Sequence, residues 1–292
     1  MPQAAVGDLV LEYESFGRDD DPPLVLIMGL GCQMVYWPEE FCEALASHGL
    51  RVIRFDNRDI GLSTKLDHLG TPNLARILLR GAVKLGGPPP YTLVDMAADV
   101  IGLLDALGAQ KAHIVGASMG GMVAQEMAIR WPDRVRSLCS WMSTTGELRH
   151  SRPTPRALRA LIARPGPGRE GRIAHALRLM REVGSGPLMD EGWLRDRIGQ
   201  AYDRSDHWQG TLRHFAACVA AQPRSRSLAS VRIPTLVIHG TADRMFPIAA
   251  AKATAAAIPG ARLALFEGMG HDLPRPLWPR LIDALADHAA RA

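Results

Sequence analysis

Short apolar runs alternate with helical patterns along the first half of the chain. Residues 9–16, 24–28, 52–55, 112–115 and 135–142 are apolar over strand-length windows, which predicts β-strands. Residues 92–107 place apolar side chains at helical spacing and should form the crossover helix ahead of 112–115. Strands alternating with helices imply a mostly parallel sheet. A ligand site in such a sheet lies at the C-terminal ends of the strands. Strand signals vanish between 147 and 222. Helices are predicted there over 156–163, 172–183, 189–203 and 207–221, broken at Pro165-Gly166-Pro167-Gly168 and Gly184-Ser185-Gly186-Pro187. Strands return at 234–240 and 261–266, and a helix over 277–289 closes the chain. This pattern predicts a core domain of residues 1–146 and 223–292 with a helical cap, 147–222, inserted between two core strands.

Two segments bear on a pocket beneath such a cap. Met180, Met189, Trp193, Tyr202, Trp208 and Phe215 could line it, although residues at helical spacing more often serve packing within the cap. Residues 66–90, ending in Gly86-Gly87-Pro88-Pro89-Pro90, are longer than an ordinary connection. They are expected to form a partly helical excursion near the pocket mouth, or a mobile loop.

Composition narrows the class. A chain of 292 residues with 47% hydrophobic content buries ample core without staples, and one large domain with an insertion fits better than two equal ones. Cys32, Cys42, Cys139 and Cys218 lack metal-site or C-x-x-C spacing and read as reduced cysteines of a cytoplasmic protein. No metal or cofactor is implied. Residues 147–230 hold fifteen arginines against eight acidic residues, an excess of +7 within a net charge of +4. No stacking aromatics or nucleic-acid motif accompany it, so a solvated helical surface is the expectation rather than nucleic-acid binding. The N-terminus lacks the basic and apolar regions of a signal peptide. No apolar run approaches the ~20 residues of a membrane span. A homo-oligomer remains open.

The chemistry concentrates where Ala112-His113-Ile114-Val115 meets Gly116-Ala117-Ser118-Met119-Gly120, followed by a helical pattern from Gly121 to Ala128. A strand, then G-x-S-x-G, then a helix is the arrangement of a nucleophile elbow. A strand reversing into a helix over so few residues strains the backbone at Ser118. Gly116 and Gly120 remove side chains that would collide in the turn. The serine then sits above a helix N-terminus, which favours negative charge. The Met119 N–H is placed to donate to an oxyanion. Five loosely specified positions can match by chance among 28 glycines, but the flanking strand and helix make the match specific.

A serine nucleophile needs a base, and the base an orienting acid. Both follow in the expected chain order. Asp243 comes just after the strand ending in His239-Gly240, and His271 lies beyond the strand ending at Phe266. An N-cap for a following helix is the alternative role for Asp243. His113 and His239 fall in strands and suit buried roles. His48, His68, His150, His175, His207, His214 and His288 have no acid at a matching position. Asp272 should point away from its neighbour His271, and Asp56 and Asp59 should brace loops.

The strand from Pro23 opens into Met28-Gly29-Leu30-Gly31. With the elbow, it resembles the α/β-hydrolase superfamily in its lid-bearing branch of serine esterases, whose fold is an eight-stranded, mostly parallel sheet flanked by helices. Within it the chain is most similar to bacterial methylesterases of the aclacinomycin type. The likeness rests on Met28-Gly29, on Trp37-Pro38-Glu39-Glu40-Phe41, and on the run Arg54-Phe55-Asp56-Asn57-Arg58-Asp59-Ile60-Gly61-Leu62-Ser63. It covers roughly residues 9–146 and 230–290. It implies a second oxyanion donor at the Leu30 N–H. The branch usually carries His-Gly where this chain has Met28-Gly29, and a backbone donor survives that change. The implied activity is hydrolysis of a small-molecule carboxylic ester through an acyl-enzyme on Ser118. A cofactor-free perhydrolase or a carbon–carbon bond hydrolase would use the same triad, and a non-catalytic receptor would keep the fold alone. Dehalogenases and epoxide hydrolases need a carboxylate at position 118, where this chain has serine.

Overall fold

Eight strands form one sheet in the computed structural model, which describes residues 2–83 and 87–292. They are β1 (Gln3–Val6), β2 (Leu9–Phe16), β3 (Pro23–Ile27), β4 (Arg51–Phe55), β5 (Ala112–Ala117), β6 (Val135–Trp141), β7 (Thr235–Gly240) and β8 (Arg262–Phe266). Their order is β1-β2-β4-β3-β5-β6-β7-β8. β2 pairs antiparallel with β1 and β4, and every later pairing is parallel. β1 has no counterpart in the sequence reading. Its four residues alternate between exposed and buried, with Ala4 and Val6 inward, too short a run to stand out from a polar terminus.

The helices are α1 (Glu39–Ala46), α2 (Leu74–Val83), α3 (Leu93–Ala106), α4 (Met119–Arg130), α5 (Pro155–Ile162), α6 (Gly168–Val183), α7 (Glu191–Arg204), α8 (Trp208–Ala220), α9 (Ser225–Leu228), α10 (Ile248–Ala257) and α11 (Trp278–Ala290). α3 begins at a capping box in which Thr92 and Asp95 satisfy each other's backbone N–H groups. Strand alternation divides the core in two. Val25, Ile27 and Ile114 pack with α3 and α4, whereas Leu24, Leu26, Val115 and Ala117 pack with α1 and α11. The central strands therefore read as continuous apolar runs because both faces are covered.

Helices α5 to α8 lie between β6 and β7 in sequence. Ile173, Leu177, Leu194 and Ile198 form a small core of their own between α6 and α7. The long segment before α3 is partly helical, through α2; Lys84, Leu85 and Gly86 lie outside the described residues. Several arginines of the basic segment are matched to acids, among them Arg169 to Asp203, Arg172 to Asp206, Arg181 to Glu191 and Arg195 to Glu170. Among the described residues, no helix is long and apolar enough to cross a membrane.

Candidate active site

Ser118 sits between β5 and α4 with φ 55° and ψ −116°, a conformation that L-residues avoid and that costs ~1–3 kcal/mol. The flanking glycines are needed because of what surrounds them. A Cβ on Gly116 would enter the Gly120 carbonyl, and one on Gly120 would enter the Ile27 carbonyl of β3. The turn is pinned by the Ser118 N–H to the Trp141 carbonyl (2.9 Å) and by the Ser143 hydroxyl to the Ser118 carbonyl (2.7 Å).

Three side chains far apart in sequence meet here. Ser118 Oγ lies 2.9 Å from His271 Nε2, and His271 Nδ1 lies 2.8 Å from Asp243 Oδ2. Asp243 is buried, and its other oxygen accepts the N–H groups of Met245 (2.8 Å) and Phe246 (2.9 Å). It does not cap α10, whose N-cap is Pro247. The carboxylate therefore faces the imidazole with its charge held by backbone donors, which makes Nδ1 the protonated nitrogen and leaves Nε2 to accept from the serine hydroxyl. The edge of Phe246 packs on the His271 ring. His239 is fully buried, bonds the Phe246 carbonyl through Nε2 (2.9 Å), and is pushed to lower pKa by burial. It props the Asp243 turn rather than reaching Ser118.

The loop carrying His271 is tied to the helical insertion. The His271 N–H donates to the Val183 carbonyl (2.7 Å), and the Gly270 N–H donates to Ser185 Oγ (2.8 Å). Asp272 turns away from His271 as expected, its carboxylate accepting from the Ser185 hydroxyl and N–H. Burial raises the Asp272 pKa against those bonds. Ser185 escaped the sequence reading because nothing local marks a serine 85 residues from its partner.

The glycine turn after β3 closes the other side. A Cβ on Gly29 would lie 3.3 Å from Ser118 Cβ, so this backbone passes directly over the serine. Leu30 and Met119 both border the same cavity as Ser118. Asn57, buried, donates to the Met28 carbonyl (3.1 Å). Asp56 and Asp59 brace loops: Asp56 accepts the N–H groups of Met34 (2.8 Å) and Leu62 (2.9 Å), and Asp59 that of Leu66 (2.7 Å). Asp59 also holds Arg213 of α8 in a bidentate pair (2.7 and 2.8 Å), both side chains fully buried. His207, for which no acid was expected, lies 3.2 Å from Asp67.

A cavity of about 1170 Å³ opens above Ser118 and His271. Met180, Met189, Trp193, Tyr202, Trp208 and Phe215 all border it, as do Leu74 and Leu78 of α2. Its wall surface is mostly apolar, the usual make-up of a small-molecule site, although charged side chains such as Glu147, Arg172 and Asp206 also border it. Cys32 also borders it, but burial pushes its thiol up to about 11, so it is no thiolate at neutral pH. No group of His, Cys, Asp or Glu among the described residues is arranged to hold a metal.

An eight-stranded sheet of this order, with a serine on a strained strand-to-helix turn, defines an α/β-hydrolase. The chain matches the alpha/beta hydrolase fold family over residues 22–274 and belongs to it. Over 305 aligned residues it is 27% identical to the rhodomycin D methylesterase DauP of Streptomyces sp. strain C5, covering 98% of this chain and 96% of that protein. It is 27% identical over 273 residues to a 2-hydroxy-6-oxononadienedioate/2-hydroxy-6-oxononatrienedioate hydrolase of Paraburkholderia phymatum, covering 90% and 85% of the two chains. The enol-lactonase of Burkholderia xenovorans shares the fold, with a TM-score of 0.76 at 24% identity over 99% of this chain and 100% of that one.

Proposed function

We propose that the chain is a serine hydrolase of carboxylic esters, with Ser118 as nucleophile, His271 as general base and Asp243 as the group that orients it. The reading rests above all on the unbroken Ser118–His271–Asp243 chain of hydrogen bonds at 2.9 and 2.8 Å. His271 takes the hydroxyl proton as Ser118 attacks the ester carbonyl. The N–H groups of Leu30 and Met119 stabilise the oxyanion. The alcohol leaves with the proton from His271, and water hydrolyses the acyl-enzyme by the same route. Residues 147–222 act as a cap on the core of 1–146 and 223–292, walling the pocket against water. The cavity, above the usual ~300–1,000 Å³ range for a ligand site, favours a bulky hydrophobic ester. A methyl ester, named in the relative from Streptomyces, fits that reading.

The test is hydrolysis of p-nitrophenyl esters from C2 to C16 and of a bulky aromatic methyl ester, with phosphonate labelling and mass spectrometry. Turnover with the adduct on Ser118, and loss on the order of 10⁶-fold in kcat in a folded Ser118→Ala variant, is the expected result. A folded Ser118→Ala that keeps more than a few per cent of activity refutes the assignment. An adduct without ester turnover moves the reading to carbon–carbon bond hydrolysis or perhydrolysis.

A further inference from the structure

The turn after β3 is held at one position by a side chain from the helical insertion. The Cys32 N–H donates to the Gly29 carbonyl (3.2 Å), closing a four-residue turn with Leu30 and Gly31 at its centre. Gly31 has φ +70°, the left-handed value that a type II turn requires at its third residue. A type I turn over the same residues differs by a flip of the peptide between Leu30 and Gly31. The Gly31 N–H, which belongs to that peptide, donates to Nδ1 of His214 (3.3 Å). The flip would carry this N–H away and turn the Leu30 carbonyl toward a lone pair.

His214 is suited to accept. It lies on α8 and is fully buried. Its Nε2 meets the Arg58 carbonyl at 2.9 Å. A carbonyl can only accept, so Nε2 carries the proton and Nδ1 is the acceptor in the neutral ring. Burial pushes the His214 pKa down to about 4, against the Arg58 carbonyl and the Asp59 charge that raise it and the Arg58 and Arg213 charges that lower it further. Tyr91 packs edge-on against the ring. Thr211, one turn earlier on α8, fills the space a Cβ on Gly31 would need. The residue before Gly29 is Met28, whose side chain offers no strong hydrogen bond. Asn57 and His214 bracket the Leu30 N–H instead, one holding the Met28 carbonyl and the other the Gly31 N–H.

We propose that His214 is a positioning residue for ester hydrolysis: by accepting the Gly31 N–H it anchors the Leu30–Gly31 peptide, and together with the Asn57 bond to the Met28 carbonyl this holds in place the Gly29–Leu30 peptide between them, whose N–H faces the substrate carbonyl. The inference rests on the esterase reading above. It assigns to a helix 183 residues away in sequence the bracing of the oxyanion turn.

The test compares His214→Phe with His214→Asn, whose amide oxygen can take the place of Nδ1, using p-nitrophenyl acetate. Losing an oxyanion donor outright costs ~10²–10³ in kcat, and displacing one costs less, on the order of 10-fold. The expected result is that loss in kcat for His214→Phe with KM little changed, largely recovered in His214→Asn. A folded His214→Phe equal to an active wild type, or an equal loss in both variants, overturns the inference alone. A wild type that neither turns over nor is labelled at Ser118 ends the esterase reading and this inference with it. Long-range ¹H–¹⁵N spectra of histidine-labelled wild type give a measurement independent of variant folding. An Nε2–H tautomer at His214 supports the inference, and an Nδ1–H tautomer overturns it.

Discussion

Asp243→Asn removes one charge from the site and almost no volume, and its effect follows from where the two oxygens point. Oδ1 accepts two backbone N–H groups, from Met245 and Phe246, at 2.8 and 2.9 Å. An asparagine must keep its carbonyl oxygen there, because an NH₂ would oppose two donors. The NH₂ group then faces His271 Nδ1, which in the wild type lies 2.8 Å from Oδ2. His239 Nε2, 3.6 Å from the same oxygen, cannot relieve the mismatch, since its proton is committed to the Phe246 carbonyl. Nδ1 must become an acceptor, so the ring proton moves to Nε2 and points at Ser118 Oγ. The proposed base is then protonated on the nitrogen that should receive the proton. The wrong tautomer costs ~10⁴ in kcat in the serine-protease template, which corresponds to ~5.5 kcal/mol of barrier. The assay is kcat and KM with p-nitrophenyl acetate, with urea denaturation to show that the variant is folded. A folded variant losing less than ~100-fold would mean that Asp243 does not set the His271 tautomer.

Two further substitutions test what holds the site in place. Ser185→Ala removes the acceptor of the Gly270 N–H and the hydroxyl donor to Asp272. It should cost ~1–3 kcal/mol in urea denaturation and lower kcat more than it changes KM; unchanged stability and kcat would refute that anchor. Asp59→Asn keeps the acceptor for Leu66 and tolerates the φ of 70° at this position, but leaves the buried Arg213 guanidinium without its full counter-charge. Breaking such a pair costs ~3–5 kcal/mol, read as a lower urea midpoint at unchanged slope. Burial raises the Asp59 pKa, but the Arg213 and Leu66 hydrogen bonds outweigh it and the net shift is downward. The wild type's advantage over Asp59→Asn should therefore be complete above the ordinary carboxylate range and shrink as pH falls through the folded-state pKa. An advantage that grows in acid would contradict the ion pair.

The parts of this molecule legible in the sequence are those whose physics is local. Ser118 shows itself because the elbow needs glycines at fixed offsets, a strand before and a helix after. Asp243 and His271 show themselves because each follows a recognisable apolar strand, which sets where its loop must emerge. The mostly parallel pairing of the sheet follows from alternation of strands with helices. β1 was not legible, because four residues with two inward alanine-sized and valine-sized side chains carry too little signal. His214 was not legible for a different reason. In its own neighbourhood it is one polar residue in a helical pattern, and its partners Gly31 and Arg58 lie 183 and 156 positions away. The same holds for His207, whose acid Asp67 belongs to the segment before α2. Substitution of Met28 for the usual histidine was visible, but what braces the turn in its place could only come from tertiary contacts.

Those tertiary contacts change how the helices above Ser118 should be understood. The segment from Val183 to Ser185, at the end of α6, is bonded to the His271 loop by Val183 and Ser185. α8 is bonded to the glycine turn by His214 and to the loop after β4 by the fully buried Arg213–Asp59 pair. A rigid lid swinging away from the sheet would have to break all of these bonds together, and two of them hold the backbone on either side of Ser118. The insertion is therefore as much a frame for the site as a cover over it. Entry to the cavity must lie where no such bonds run. Leu148 and Leu158 border the cavity and are 60% and 37% exposed, so apolar wall reaches the surface beside the start of the insertion. A ligand entering there would leave the anchors at Ser185 and His214 closed.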